Sequence, residues 1–200
     1  MGVPRGRLAP TLAQEMHCMS TAMKVLEIDS LWVESGLISP CRIDELYRQY
    51  LDTEDKSPEH YRHILFADLR KNNSVFDDMT LMTYVRLCEI DSNQDMAYCA
   101  LMVLIWSNNN ITLQQLIHLQ LKGRIAQEKA YSILYRRVLA EPLNDDLFIE
   151  CLENGNDMSQ RALLDKSDLT AKWLVALSTK GKTKAVRNMA KVRLKKHQKC

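Results

Sequence analysis

The feature that most constrains this 200-residue chain is a pattern that recurs four times between Met79 and Leu194. At Met79-Thr80, Ile111-Thr112, Leu143-Asn144 and Leu169-Thr170, an apolar residue precedes a polar residue of the kind that caps or opens a helix. Twelve residues after each anchor stands a helix stopper: Asp91, Gly123, Gly155 or Gly181. The anchors are 32, 32 and 26 residues apart. Five residues past them lie Tyr84, Leu116, Phe148 and Leu174; six past, Val85, Ile117, Ile149 and Val175; eight past, Leu87, Leu119, Cys151 and Leu177. Offsets 0, 5 and 8, with the neighbour at 6, trace one face of a helix. A glycine at the stopper closes such a helix in a left-handed conformation without a Cβ penalty.

A second helix follows each time. The first of these, Asn93 to Trp106, is apolar all round from Met96 onward and is therefore expected at the centre, enclosed by neighbours. The others are read at Arg124 to Leu139, Met158 to Asp165 and Thr183 to about Lys196. Short paired helices cannot hide their apolar faces alone, so stacking stabilises them. At these residues the chain resembles α-solenoids of the HEAT or armadillo kind. Its last two units, which share Leu143/Leu169, Gly155/Gly181 and Arg161/Arg187, also resemble the leucine-rich-repeat variant. The resemblance implies an all-α fold, an irregular right-handed stack of helical hairpins. An irregular helical bundle is the alternative.

Ahead of the repeats, spacings of three and four predict helices over Thr11 to Ile28, from Ser39-Pro40 to about Leu51, and from Ser57-Pro58 to about Arg70. Lys71-Asn72-Asn73 stops the last of these. The expected organisation is an N-terminal helical region over 1–73, a repeat region over 74–194 and a basic tail over 195–200. With 46 % hydrophobic and 26 % charged residues, and only six glycines and five prolines, composition agrees with a helical globular chain. The longest apolar run, Met96 to Trp106, is 11 residues against the roughly 20 that span a bilayer. No signal-peptide pattern opens the chain. A soluble, cytoplasmic protein with no membrane partner is expected. The six cysteines show no CxxC pairing, and Cys88, Cys99 and Cys151 are expected as small core residues.

Catalytic and metal signatures are weak. His60 and His63 share a helix with no further ligands at zinc spacing, and His17-Cys18 are sequence neighbours that point apart. His118 is expected as a partly buried histidine. Neither a nucleotide loop nor a nucleophile motif is present, so no enzyme, cofactor or metal is expected. Asp77, Asp78, Glu89, Asp91 and Asp95, and again Asp145, Asp146, Glu150, Glu153 and Asp157, read as solvated faces or as the acidic wall of a groove.

Charge distribution is more telling than the net charge of +2. From Lys180 to Cys200 there are nine Lys or Arg and no acid, while the other 179 residues hold 18 basic against 25 acidic side chains, a balance of −7. In the last helix Lys184, Arg187, Lys191 and Lys195 form a basic stripe beside an apolar stripe of Val186, Met189, Ala190 and Leu194. Candidate binding residues are Lys180, Lys182, Lys184, Arg187, Lys191, Arg193, Lys195 and Lys196. The expected function is non-catalytic protein–protein interaction, as an adaptor, scaffold or regulator. Nucleic-acid binding through the basic helix is the alternative.

Overall fold

The computed structural model describes residues 12–72, 75–107 and 109–197. The leader through Thr11, Asn73 of the helix stop and the last three tail residues lie outside the described residues, as do the His17 and Cys18 side chains. The protein is all-α, with twelve helices and no strand among the described residues. They are α1 (Leu12–Val25), α2 (Leu31–Glu34), α3 (Pro40–Asp52), α4 (Pro58–Asn72), α5 (Asp78–Ile90), α6 (Gln94–Trp106), α7 (Leu113–His118), α8 (Gly123–Ala140), α9 (Asp145–Asn154), α10 (Asp157–Asp165), α11 (Ala171–Lys180) and α12 (Lys184–His197). They form two compact units, divided between Ile111 and Thr112. The first helical pair of the repeat pattern, α5 and α6, belongs to the same unit as α1 to α4.

In the first unit a line of aromatic rings runs through the interior. Trp32 of α2 meets Phe66 of α4 edge-on at 4.7 Å, Phe66 meets Tyr84 of α5 at 4.9 Å, and Tyr84 meets Phe76 at 5.7 Å. The Tyr84 hydroxyl donates to the Ala100 carbonyl of α6 at 3.0 Å and accepts from Arg70 at 2.6 Å, so the buried phenol is paired. Beside this line Arg62 of α4 is 2 % exposed. Its Nε and one Nη donate to the two oxygens of Asp91 at 2.9 and 3.1 Å. The remaining N–H groups reach the Leu26 carbonyl at 3.0 Å, Glu27 at 3.2 Å and Ser92 at 3.0 Å. All five guanidinium donors are used, and they join α4 to the turn after α1 and to the α5–α6 connection.

At three of the four pattern positions the polar residue is a helix N-cap. Thr112, Asn144 and Thr170 are N-caps whose side chains accept from the backbone N–H of Gln115, Leu147 and Trp173. In the first repeat the cap is Asp77, which accepts from Thr80 N. The matching pair there is Phe76-Asp77, three residues before the Met79-Thr80 assigned from sequence. Phe76 is buried, whereas Met79 is 81 % exposed. With that register, each unit has an apolar residue before the cap and another four after it: Phe76 and Leu81, Ile111 and Leu116, Leu143 and Phe148, Leu169 and Leu174. This is the spacing of a hydrophobic staple. Offsets 5 and 8 are buried in all four units. Offset 6 faces outward in all four units once the first is counted from Phe76, at Met82, Ile117, Ile149 and Val175; Val85, counted from Met79, is buried.

Other expectations give way to packing. Gly155 and Gly181 do end α9 and α11, but with φ of −71° and −52°, not left-handed. Glycine is required there by proximity, since a Cβ on Gly155 would lie 2.3 Å from the Cys151 carbonyl oxygen and one on Gly181 would lie 2.6 Å from that of Leu177. Gly123 does not end a helix. It opens α8 at φ 63°, because α7 stops at His118, where Lys129 Nζ takes up the Ile117 and Leu119 carbonyls. Helix α6 is buried on a broad face only, with Cys99 and Val103 exposed, so it is not enclosed all round.

Replacing Arg62 by Ala is expected to lower unfolding free energy by about 3–5 kcal/mol in urea titrations, because Asp91 is left buried and unpaired. Gly155→Ala is expected to cost about 1–3 kcal/mol in the same measurement, since the cap backbone must move to admit the methyl group.

Candidate functional site

The candidate site lies on α12, in the second unit. Thr183 opens the helix: its Oγ1 accepts from Val186 N at 3.2 Å and donates to Asp157 at 2.6 Å. Val186 and Ala190 are fully buried in a core with Leu163, Leu174 and Leu177, which fixes the helix on α10 and α11. Gln160 of α10, also fully buried, donates to the Cys151 and Leu152 carbonyls at 3.2 and 2.9 Å and accepts from Lys182 N at 2.7 Å. That one amide ties the end of α9 to the turn leading into α12. Nothing in the residue pattern marked Gln160, because a glutamine on a short helix reads as a surface residue.

With Val186 and Ala190 inward, α12 has two further faces. Lys184, Lys191 and Lys195 form an exposed basic stripe as expected. Arg187 belongs to that stripe by spacing but is half-buried, and its guanidinium donates to the Gly181 carbonyl at 2.6 Å, closing the end of α11. The second face carries Met189, Val192, Arg193 and Lys196 at i, i+3, i+4 and i+7. It borders a groove of about 520 Å³ lined also by Leu164, Asp165 and Asn188. Met189 and Val192 are 41 % and 56 % exposed, so Met189 lines this groove instead of joining the core stripe. Arg193 donates to the Lys166 carbonyl at the end of α10, placing its charge on the rim. Lys180 and Lys182 are exposed near the start of α12, with Lys182 Nζ 5.5 Å from the Tyr131 ring.

The groove therefore has an apolar floor and a cationic edge along α12, while its α10 edge carries Asp165. The whole unit shares this sign. From Thr112 onward there are 17 Lys or Arg against 9 Asp or Glu, and through Ile111 there are 10 against 16. The two units thus differ from +8 to −6 in formal charge.

Several of the acidic residues seen in the sequence have partners. Asp91 is buried under Arg62, Asp145 accepts from Trp173 Nε1 at 2.9 Å, Glu150 pairs with Arg137 at 2.6 Å and Asp157 with Arg161 at 2.6 Å. Asp77, Asp78, Glu89, Asp95, Asp145, Asp146 and Glu153 are exposed, so apart from buried Asp91 both groups lie mainly on solvated faces, as expected. Cys88 and Cys151 are buried, and burial pushes the Cys151 thiol up to about 12, so it stays protonated. Cys99 is exposed, against expectation, because it sits on the outer face of α6. His118 is likewise exposed, beside Gln114 at 2.7 Å. Among the described residues no three His, Cys, Asp or Glu side chains form a group that could hold a metal ion.

His60 and His63 have opposite environments. His60 is paired with Asp55 at 2.7 Å, and that hydrogen bond raises its pKa above the ordinary histidine value; burial lowers that of His63. In an NMR titration His60 is expected to titrate above the ordinary value and His63 below it, with Asp55→Asn returning His60 toward the ordinary value. By linkage the His60 pair contributes stability below the unfolded-state pKa and loses it as pH rises through the raised folded value. Comparison of the chain with known protein families, with curated proteins and with solved structures finds no match.

Proposed function

We propose that this protein is a non-catalytic interaction module whose α10–α12 groove takes an apolar segment flanked by acidic residues from a protein partner. The observation that carries this reading is the groove itself. An apolar floor of Leu164, Met189 and Val192 rewards burial of apolar side chains, and the Arg193 and Lys196 edge selects negative charge beside them. Phosphate backbones need cations but no such floor, which is why protein is preferred to nucleic acid. The recurring capped and stapled helix starts support the likeness to helical-repeat proteins, which use surfaces of this kind for binding.

The second reading, nucleic-acid binding, draws support from the exposed Lys184, Lys191 and Lys195 stripe on the other side of α12. The two readings separate by residue. An amphipathic Leu/Glu peptide is expected to bind more tightly than its Leu/Lys counterpart, and Val192→Glu with Lys196→Glu is expected to weaken it by about tenfold or more, roughly 1.4 kcal/mol, in fluorescence anisotropy. Duplex DNA or RNA binding that depends on Lys184, Lys191 and Lys195, falls steeply with salt and ignores Val192 would favour the nucleic-acid reading. A Leu/Glu peptide that fails to bind even at low salt would remove the groove reading.

A further inference from the structure

A second exposed apolar feature stands in the first unit, and its chemistry is the complement of the groove. On α5, Leu81, Tyr84, Val85, Leu87 and Cys88 face the core, leaving Met79 and Met82 on the outer side, 81 % and 62 % exposed and nearly one turn apart. Val75, just before the helix, is 50 % exposed. Two carboxylates, Asp77 and Asp78, adjoin Met79 at the start of α5. Farther along the helix Arg86 is matched by Glu89 at 3.2 Å, so the cation there is neutralised locally. The result is an apolar ridge with negative charge at one end, on a unit whose formal balance is −6. Methionine side chains are flexible and polarizable, so they adapt to an apolar groove with little loss of fit.

We propose that the occupant of the α10–α12 groove is the α5 ridge of a second copy of this chain. The inference rests on the groove reading above and names its partner. Charge complementarity argues for it: a ridge on a unit of −6 meets a groove on a unit of +8, with methionines to fill the floor between Met189 and Val192 and carboxylates to face Arg193 and Lys196. Every copy carries one ridge and one groove. The contact is therefore heterologous, head to tail, and successive copies extend into open chains or close into a ring. Electrostatic attraction between exposed groups is screened over about 8 Å at physiological salt, so assembly is strongest at low ionic strength.

A mixing experiment with full-length protein tests this. One variant carries Met79→Lys and Met82→Lys on the ridge; the other carries Met189→Gln and Val192→Gln on the groove. All four side chains are substantially exposed, and circular dichroism with thermal melting confirms that each variant is folded. In sedimentation velocity at low salt, the unaltered protein is expected to form dimers or larger assemblies as concentration rises. Each variant alone is expected to self-associate at least about tenfold more weakly. Mixed together, they are expected to form a 1:1 pair that grows no further, because one supplies an intact ridge and the other an intact groove. An unaltered protein that stays monomeric throughout, or variants that associate as well as it does, would overturn the self-association proposal. If the Leu/Glu peptide still binds in a Val192-dependent way, the groove reading survives that outcome. If neither association nor peptide binding occurs, both fall.

Discussion

In the first unit the arrangement of helices depends on one buried cation. Arg62 lies on α4, yet its bonds go to the turn after α1 and to the connection between α5 and α6, segments 29 to 36 residues away in sequence. A buried guanidinium is tolerated only when its charge is matched and its donors are all used. The bidentate Asp91 contact meets the first requirement, and Leu26, Glu27 and Ser92 complete the second. The same Asp91 accepts from Asn93 N at 2.8 Å, just before α6, so one carboxylate sets both the ion pair and the turn. Glu27 is held at φ 52°, an uncommon conformation for a residue with a Cβ, while it bonds both Arg62 and Ser92. Breaking such a pair is costly because either partner alone would be a buried, unmatched charge.

The second unit uses a different device. Five of its six helices start on side-chain caps, at Thr112, Asn144, Asn156, Thr170 and Thr183, while α8 starts after Lys122 without one; two helices end on glycines pressed against their own last carbonyls. Caps of this kind contribute about 1 kcal/mol each and set where each helix begins. Gln160 and Arg187 then satisfy carbonyls at the ends of α9 and α11. With the ends settled and Val186 and Ala190 packed inward, α12 is left with its lysine stripe on one side and the Met189–Val192 face on the other. The groove is thus a consequence of how one three-sided helix is seated.

Much of the fold was legible because helix starts and stops are local. Ser39-Pro40, Thr112, Asn144 and Thr170 lie where capping chemistry requires them, and offsets 5 and 8 from the anchors are buried in all four units. The misreadings share a physical origin. Met79-Thr80 and Phe76-Asp77 are both plausible openings, and only the burial of Phe76 against Tyr84 decides between them. Nothing local says that Ile117, Ile149 and Val175 face outward, since whether a helix buries one stripe or a wider face depends on its neighbours. The basic residues of α12 were all identifiable, but their separation into an exposed stripe, two guanidiniums bound to carbonyls and a groove edge was not.

The sequence by itself determined the helical class, most helix boundaries, the opposite charges of the body and the last helix, and the buried positions at offsets 5 and 8 from the four anchors. These follow from backbone capping, 3.6-residue periodicity and charge counting, none of which needs a distant contact. Only the tertiary structure decided that Arg62 and Asp91 share a buried site, that Gln160 ties the end of α9 to the turn before α12, that α5 and α6 belong with the N-terminal helices, and that Met189 and Val192 border a groove. Each of these joins residues that are far apart in the chain or on different sides of one helix. Their pairing is set by burial and hydrogen-bond satisfaction between elements, which a local pattern does not encode.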